Sequence, residues 1–506
     1  MNLIKKITYI TLFGLTIFSC NSEKKVNISE DSAKDAFNKL TNLVDGFAEN
    51  SIQKGNANSF AIAIYKDGEM YQNYYGEIDK EDNNKPNDSS LYEIASITKT
   101  FTGSLVAKAV LIGKIGLDDD IRKYLKGNYP NLEFEGHPIT VKHLLTHSMG
   151  LKNKHTKGFE AISNKVTSGT YDYKTDSYSI DDLLEELKTV EVDKKPGTVF
   201  AYNSVGPELL AHILENVNKK PFKMQMDAFF KELGMNDTYL EYSQNYKHRL
   251  VKGYKGEVLA PIDHDPVYGA AGGAISTLPD LAKYMQYLID NKNGPWIKEA
   301  SRVLFTDPDD DEQIGYLWQS IGFAEEEGCY YSKTGTSNRI QSGILICPDS
   351  NYGIIVMVNN TSDQAMRDWE LLFFRDIEPM VIKYPKLDLS SVFRKDFNEN
   401  PKKAYQNFRT LKSDTVTYHF AVRDLNNFGY DLLNDKEYQK SIAVFKFLTE
   451  EFPENANIYD SLGEAYFITE DYKNALISFK KALELNPDMK TSKNHIKKIK
   501  ELSTQQ

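Results

Sequence analysis

The sequence predicts an α/β (α+β) fold: an antiparallel sheet flanked by helices, with a helical insertion, followed by an all-helical tail. Two observations carry this. Strand-like segments gather in two distant clusters with helical patterns between them, and the end of the chain repeats itself at a fixed interval. In the first cluster Ser59 to Lys66 reads as a strand, Asp67-Gly68 as a hairpin turn, and Met70 to Tyr75 as its partner. In the second cluster Gly328 to Lys333, Gln341 to Cys347 and Tyr352 to Val358 alternate or run apolar, and Pro348-Asp349-Ser350 turns the chain between the last two. Between the clusters, Phe101 to Ile112, Leu183 to Leu187 and Leu209 to Val217 carry apolar residues at helical spacing. Strands at both ends with helices between them predict one antiparallel sheet packed on helices.

The tail repeat has a period of 34 residues. Phe428 and Leu462, Gly429 and Gly463, Tyr438 and Tyr472, Phe445 and Phe479, and Pro453 and Pro487 are each 34 apart. Tyr459, Leu462-Gly463, Tyr466, Ala475, Phe479 and Pro487 resemble the tetratricopeptide pattern. In the first copy Leu425 and Leu432 replace aromatics. Two copies fall short of the three or so that bury a stable core, so residues 391–411 or the rest of the chain must supply a packing surface. Thr491 to Leu502 reads as a Lys-rich capping helix. Such a tail reads either as a peptide-binding groove or as a structural appendage.

At the N-terminus Lys5 and Lys6 precede an apolar run from Ile7 to Phe18, too short for the roughly 20 residues that span a bilayer. Ile17-Phe18-Ser19-Cys20 resembles a bacterial lipobox, which makes Cys20 the expected lipidation site and the chain an exported, membrane-anchored lipoprotein on the periplasmic or cell-surface side. The charge balance of 61 Lys+Arg against 72 Asp+Glu, without a basic block, argues against nucleic-acid partners. Three Cys are too few for a disulfide scaffold or a four-thiolate zinc site.

Three short motifs carry chemistry. Ser96 and Lys99 are three residues apart at the start of a predicted helix, so hydroxyl and amine share a face. A Ser there lies near free backbone N–H groups, which favour an oxyanion. Lys333-Thr334-Gly335 lies on a predicted strand, where the Lys can meet a substrate carboxylate and the Gly admits close backbone approach. Tyr202 falls between the two in sequence. The order S-x-x-K, Tyr, K-T-G is that of serine β-lactamases and penicillin-binding proteins.

Over roughly residues 45–365 the chain resembles the class C β-lactamase-related serine hydrolases. The stretches Ile121 to Leu125, Ile139 to Leu151 and Gly272 to Thr277 add to the match. The resemblance implies that Ser96 is acylated, Lys99 takes or relays its proton, Tyr202 is general base and leaving-group acid, and Lys333 orients Tyr202 and substrate. It implies backbone N–H groups of Ser96 and Thr336 as the oxyanion hole, with Ser204, Thr334, Gly335 and Thr336 binding substrate and no cofactor. The expected organisation is a signal peptide over 1–20, a tether over 21–40, the hydrolase domain over 41–385, a connecting segment over 386–421, two repeats over 422–489 and a capping helix over 490–506.

Two positions depart from the family pattern. Ser204 stands where the second motif usually ends in Asn, with Asn203 one residue early, and Met149 replaces a more usual Ser. A hydroxyl at 204 can still reach Lys99 but offers no amide, so recognition of an amide-bearing β-lactam side chain is weakened. His143 and His147, four apart, could share a helix face toward a metal, but no Glu completes H-E-x-x-H, and a structural role is the plainer reading. The acidic run Asp307 to Glu312 lacks the spacing of an EF-hand and reads as a solvated loop. Cys329 and Cys347 lie on strands flanking Lys333 and would pair only if opposed. The expected function is an exported serine hydrolase acting on small amides or esters: D-amino-acid peptides first, short acyl esters next, β-lactams last. The alternative is a non-turnover, penicillin-binding-like cleft protein that holds partners through its tail.

Overall fold

The computed structural model describes residues 30–504 apart from 80–82, 173–174, 263–266, 310–311 and 325–327. The expected signal segment, Cys20 and residues 21–29 of the expected tether lie outside the described residues. Two compact units divide the chain: one holds Val44–Ile382, the other Ser29–Leu43 with Lys383–Gln506.

The first unit is built on a six-stranded antiparallel sheet. Its strands are β1 (Ser59–Lys66), β2 (Glu69–Gly76), β3 (Ser320–Ala324), β4 (Gly328–Thr336), β5 (Gln341–Cys347) and β6 (Tyr352–Val358), in the spatial order β3-β4-β5-β6-β1-β2. The N-terminal hairpin joins the C-terminal strands through β1 and β6, with Phe60 opposite Val358 and Lys66 opposite Tyr352. β1, β5 and β6 are buried along their whole length, which explains why they read as apolar runs and not as clean alternation. Both faces are covered. A methyl group on Gly343 would lie 2.6 Å from the rings of Trp369 and Phe373, while one on Gly353 would lie 2.6 Å from Met285. Gly353 is opposite Ile346 in the ladder, an odd number of residues along from Gly343, so the two glycines face opposite sides of the sheet.

That register also settles the cysteines. Tyr331 pairs with Ile346 and Ser332 with Leu345, so Cys329 lies beyond Cys347 along the ladder and out of phase with it. A one-residue offset turns the two side chains to opposite faces, and they are not bridged.

Helix α1 (Glu30–Gln53) corrects the expected tether, because residues 30–40 are helical. Phe37, Leu40, Val44, Phe47 and Ala48 are buried at spacings of three and four, while Asp35, Asn38 and Lys39 are exposed. An apolar stripe of that kind needs a surface to pack on and cannot stay a solvated leader. Helix α2 (Thr98–Leu111) is buried on nearly all sides, and its Phe101 packs among Phe229, Phe230 and Tyr284. Helix α3 (Val205–Asn218) follows the Tyr202 segment, and helix α4 (Leu278–Asp290) supplies Met285 to the sheet.

The second unit is a run of helical hairpins. Helices α5 (Leu389–Glu399) and α6 (Pro401–Leu411) precede α7 (Val422–Asn434) and α8 (Tyr438–Glu451), then α9 (Ala456–Ile468), α10 (Tyr472–Leu485) and a last helix, α11 (Lys490–Thr504). Gly429 and Gly463 are equivalent: a Cβ on either would lie 2.4 Å from Phe445 or 2.6 Å from Phe479. The connecting segment, whose residues 391–411 were one of the two packing surfaces expected for the repeats, forms the α5–α6 hairpin, and its Phe393, Phe397 and Phe408 join Phe428 and Phe447 in one cluster. It supplies the third layer that two repeats lack. At the other end Thr491 donates to Asp460 at 2.8 Å, and His495 stacks on Phe479 at 4.9 Å.

Candidate active site

Ser96 sits in a tight turn, Ala95–Ile97, that runs into α2. Ala95 has φ +45°, a left-handed conformation unusual for alanine, and this bend presents Ser96 beside the sheet. One turn on, Lys99 is buried and donates through Nζ to Ser96 Oγ at 3.2 Å and to the Ala271 carbonyl at 2.5 Å. The loop carrying Ala271 is held by Glu208, a buried carboxylate on α3 that accepts from the N–H groups of Tyr268 at 2.9 Å and Ala271 at 2.8 Å.

From the other side, β4 brings Lys333, Thr334, Gly335 and Thr336. A methyl group on Gly335 would lie 2.3 Å from the Ile94 carbonyl oxygen and 3.1 Å from the Ser96 nitrogen. Only glycine lets the strand lie this close to the Ser96 N–H. Tyr202 lies between the two cations. Lys99 Nζ is 5.0 Å and Lys333 Nζ 5.2 Å from its ring centre, within cation–π range. Its hydroxyl is buried without a well-formed hydrogen bond. Burial alone would raise the phenol, but the charges of Lys99 and Lys333, with a smaller contribution from the nearby Ser96 and Lys99 donors, outweigh it and hold its pKa down to about 7. Burial in turn pushes the Lys333 ammonium below its ordinary value.

Ser96, Lys99, Tyr202 and Lys333 therefore meet in one place. Ser96, Tyr202, Lys333, Thr334 and Thr336 line a cavity of about 360 Å³, completed by Phe200, Glu312 and Gln319. Ser204 behaves differently from its expected role. Among the described residues its hydroxyl makes no hydrogen bond to Lys99, and its N–H donates to His155 Nε2 at 3.2 Å. The amide of Asn203 is committed locally, accepting from the Gly206 N–H at 2.8 Å and donating to the Ala201 carbonyl at 2.8 Å. It caps α3 and does not reach the Ser–Lys pair.

Three residues outside the motif reading shape the site. Glu208 is one, and a charged residue on an otherwise apolar helix face was its only signal in the sequence. His147 is the second. Its carbonyl accepts from Ala201 N–H at 2.8 Å, its Nδ1 accepts from Asn203 N–H at 3.4 Å, and its ring lies 4.5 Å from that of Tyr202. Burial, with Lys99 and Lys333 nearby, pushes the imidazole well below its ordinary pKa, so it stays neutral. It grips the Tyr202 segment on both sides, at φ +53°, and shares no ligand with His143, whose Nδ1 accepts from Thr140 N–H at 3.0 Å. Gln319 is the third: its Oε1 accepts from Thr334 Oγ1 at 2.7 Å and from Lys333 Nζ at 3.3 Å. At the ends of the acidic run, the Asp307 N–H donates to the Glu312 carbonyl at 2.8 Å, and Glu312 faces the cavity.

Strand order and site geometry together define a β-lactamase/transpeptidase-like serine hydrolase fold. Within that class the chain belongs to the Beta-lactamase family, whose family model matches residues 41–374. A tetratricopeptide repeat model matches residues 456–489 of the tail. The chain is similar to "Protein flp" of Staphylococcus aureus (strain N315), 26% identical over 328 residues that make up 63% of each chain. It thus spans 63% of the length of that relative. It is also similar to "D-alanyl-D-alanine-carboxypeptidase/endopeptidase AmpH" of Escherichia coli (strain K12), 24% identical over 336 residues, covering 63% of this chain and 84% of that one. Among solved structures, the octameric penicillin-binding protein homologue from Pyrococcus abyssi shares the fold, with TM-score 0.57, 24% identity, and coverage of 72% of this chain and 82% of that chain.

Proposed function

We propose that the chain is an exported, lipid-anchored serine hydrolase that forms an acyl-enzyme at Ser96 on small amides or esters, with D-amino-acid peptides ahead of short acyl esters and both ahead of β-lactams. The observation that carries this is the meeting of Ser96, Lys99 and Lys333 around a tyrosine whose pKa is held at about 7. A base poised near the operating pH is suited to moving a proton both ways. Ionised Tyr202 takes the Ser96 hydroxyl proton, and Oγ bonds to the substrate carbonyl carbon. The oxyanion is received by the backbone N–H groups of Ser96 and Thr336. Tyr202 returns the proton to the departing nitrogen or oxygen as its bond to carbon breaks. Water repeats the sequence and releases the acid. The similarity to AmpH, a D-alanyl-D-alanine-carboxypeptidase/endopeptidase, supports the peptide class. The Lys5-Lys6 start, the Ile7 to Phe18 run and Cys20 support export and anchoring. The helical tail supports a role in protein partnering.

Labelling with a fluorophosphonate and a fluorescent penicillin, followed by intact mass, tests the reading. Wild type is expected to gain one adduct, on Ser96. Ser96→Ala should lose it with little change in melting temperature, since removing a cleft hydroxyl leaves no core cavity. An adduct that persists on another serine would overturn the assignment, and ligand binding without any adduct would favour a non-turnover cleft protein.

A further inference from the structure

The acidic run Asp307 to Glu312 reads as a solvated loop, yet its last residue lines the catalytic cavity. Among the described residues Glu312 is the one acidic side chain there, and it is half-buried. Its charge is felt at the site: burial pushes the Lys333 ammonium down, and Glu312 is among the groups that push it back up. The cations are withdrawn by comparison. Lys99 is 1% and Lys333 2% exposed, and both lie against the Tyr202 ring. Lys99 donates to Ser96 Oγ and the Ala271 carbonyl, and Lys333 donates to the Thr334 carbonyl at 2.7 Å and to Gln319 Oε1 at 3.3 Å. The hydroxyl donors that a substrate carboxylate would use on β4 are occupied too. Thr334 Oγ1 donates to Gln319 Oε1 at 2.7 Å, and Thr336 Oγ1 donates to Gln341 Oε1. A carboxylate entering the cavity has to displace these bonds while it approaches a like charge. An ammonium group displaces none of them and meets an opposite charge.

We propose that Glu312 selects substrates by charge, so that the site takes amides and esters bearing an ammonium group, such as short peptides with a free amine, ahead of those bearing a carboxylate. This names the substrate class of the serine hydrolase and rests on that reading. The selection acts through space. Glu312 and Ser96 line one cavity of about 360 Å³, so a charge anywhere in a bound substrate lies within reach of the carboxylate. The apolar walls given by Phe200 and the Tyr202 ring limit the water that would screen it.

The test uses isosteric esters that differ by one charge. For the leaving group, acetylcholine is compared with the acetate ester in which tert-butyl replaces trimethylammonio. For the acyl group, phenyl esters of γ-trimethylammoniobutanoic acid, its tert-butyl isostere and glutaric acid are compared. The value of kcat/KM for each charged ester is divided by that of its neutral partner, in wild type, Glu312→Gln and Glu312→Lys. Intrinsic reactivity cancels between proteins, so the change in the ratio reports Glu312 alone. Glu312→Gln should lower the cation ratio by about tenfold in at least one pair and raise the glutaryl ratio several-fold. Glu312→Lys should move both ratios further the same way. In wild type, added salt should shrink the cation ratio, a readout that needs no variant. Cation ratios that stay put in variants of normal melting temperature, a glutaryl ratio that falls in Glu312→Lys, or a wild-type cation ratio indifferent to salt would overturn the assignment. So would failure to turn over any of these esters by a wild type whose Ser96 takes fluorophosphonate. Failure of fluorophosphonate to label wild-type Ser96 would overturn the serine-hydrolase reading itself, and the assignment with it.

Discussion

Tyr202 behaves as a base because of two cations, and this gives a signed pH dependence. With its pKa held at about 7, acylation should rise with pH through about 7 and level above it, as the phenolate fills. Lys333→Ala removes one of the two charges that hold the phenol down, so the rising limb should move to higher pH. Activity lost at pH 7 should be partly regained in alkaline buffer. Tyr202→Phe should abolish the limb and slow acylation by orders of magnitude. The check is kcat/KM against pH for the three proteins, and a limb unmoved in Lys333→Ala would assign the titration to another group. The Ser96–Lys99 spacing and Lys333-Thr334-Gly335 were legible as motifs because each depends on neighbours within one turn or one strand. Gln319 was not, because it meets β4 only in the folded chain, and for His147 the sequence suggested a structural role but not the segment it grips.

At the scale of elements, the site is a close approach between the Ala95–Ile97 turn and β4. Gly335→Ala places a methyl 2.3 Å from the Ile94 carbonyl and 3.1 Å from the Ser96 nitrogen, so strand and turn must separate. Acylation should fall by orders of magnitude, because an oxyanion donor moved by even part of an ångström loses its target. Melting temperature should fall as well, since the clash is with backbone, which cannot rotate away. Parallel measurement of acylation rate and thermal unfolding checks this; a near-normal rate would show that the approach is not needed for chemistry. The strands β1, β5 and β6 were readable at their full length because central strands of a doubly covered sheet are continuous apolar runs. Strand β3, a short segment whose apolar residues are interrupted by Ser320 and Gly322, was not, and neither was the helical stripe of α1 amid its charged residues.

For the whole molecule, the two-unit division separates chemistry from the tail. All four motif residues lie within Val44–Ile382, and the helical hairpins lie within Lys383–Gln506. A protein limited to residues 44–382 should therefore turn over a small ester within a few-fold of the full chain. A cut near residue 385 that keeps the start of α1 is expected to be less soluble. It leaves Phe37 and Leu40 without the unit they belong to, and exposed apolar stripes promote association. Turnover number, melting temperature and oligomeric mass of the three proteins decide the matter. Collapse of turnover in a folded, monodisperse 44–382 protein would show that the tail shapes the site.

By itself the sequence determined which residues could do chemistry and which segments repeat, because spacing along a helix or strand is a local property. Ser96 and Lys99 share a helix face wherever that helix goes, and Gly429 and Gly463 mark the same close contact in successive repeats. Only the tertiary structure decided what those residues face. It set Tyr202 between Lys99 and Lys333, turned Asn203 into a helix cap, and put Cys329 and Cys347 on opposite faces of the sheet. It also built the third hairpin of the tail from a segment with no repeat signature. The physical reason is the same in each case. Charge, hydrogen-bond partners and apolar contacts act through space, and the residues that supply them are distant along the chain.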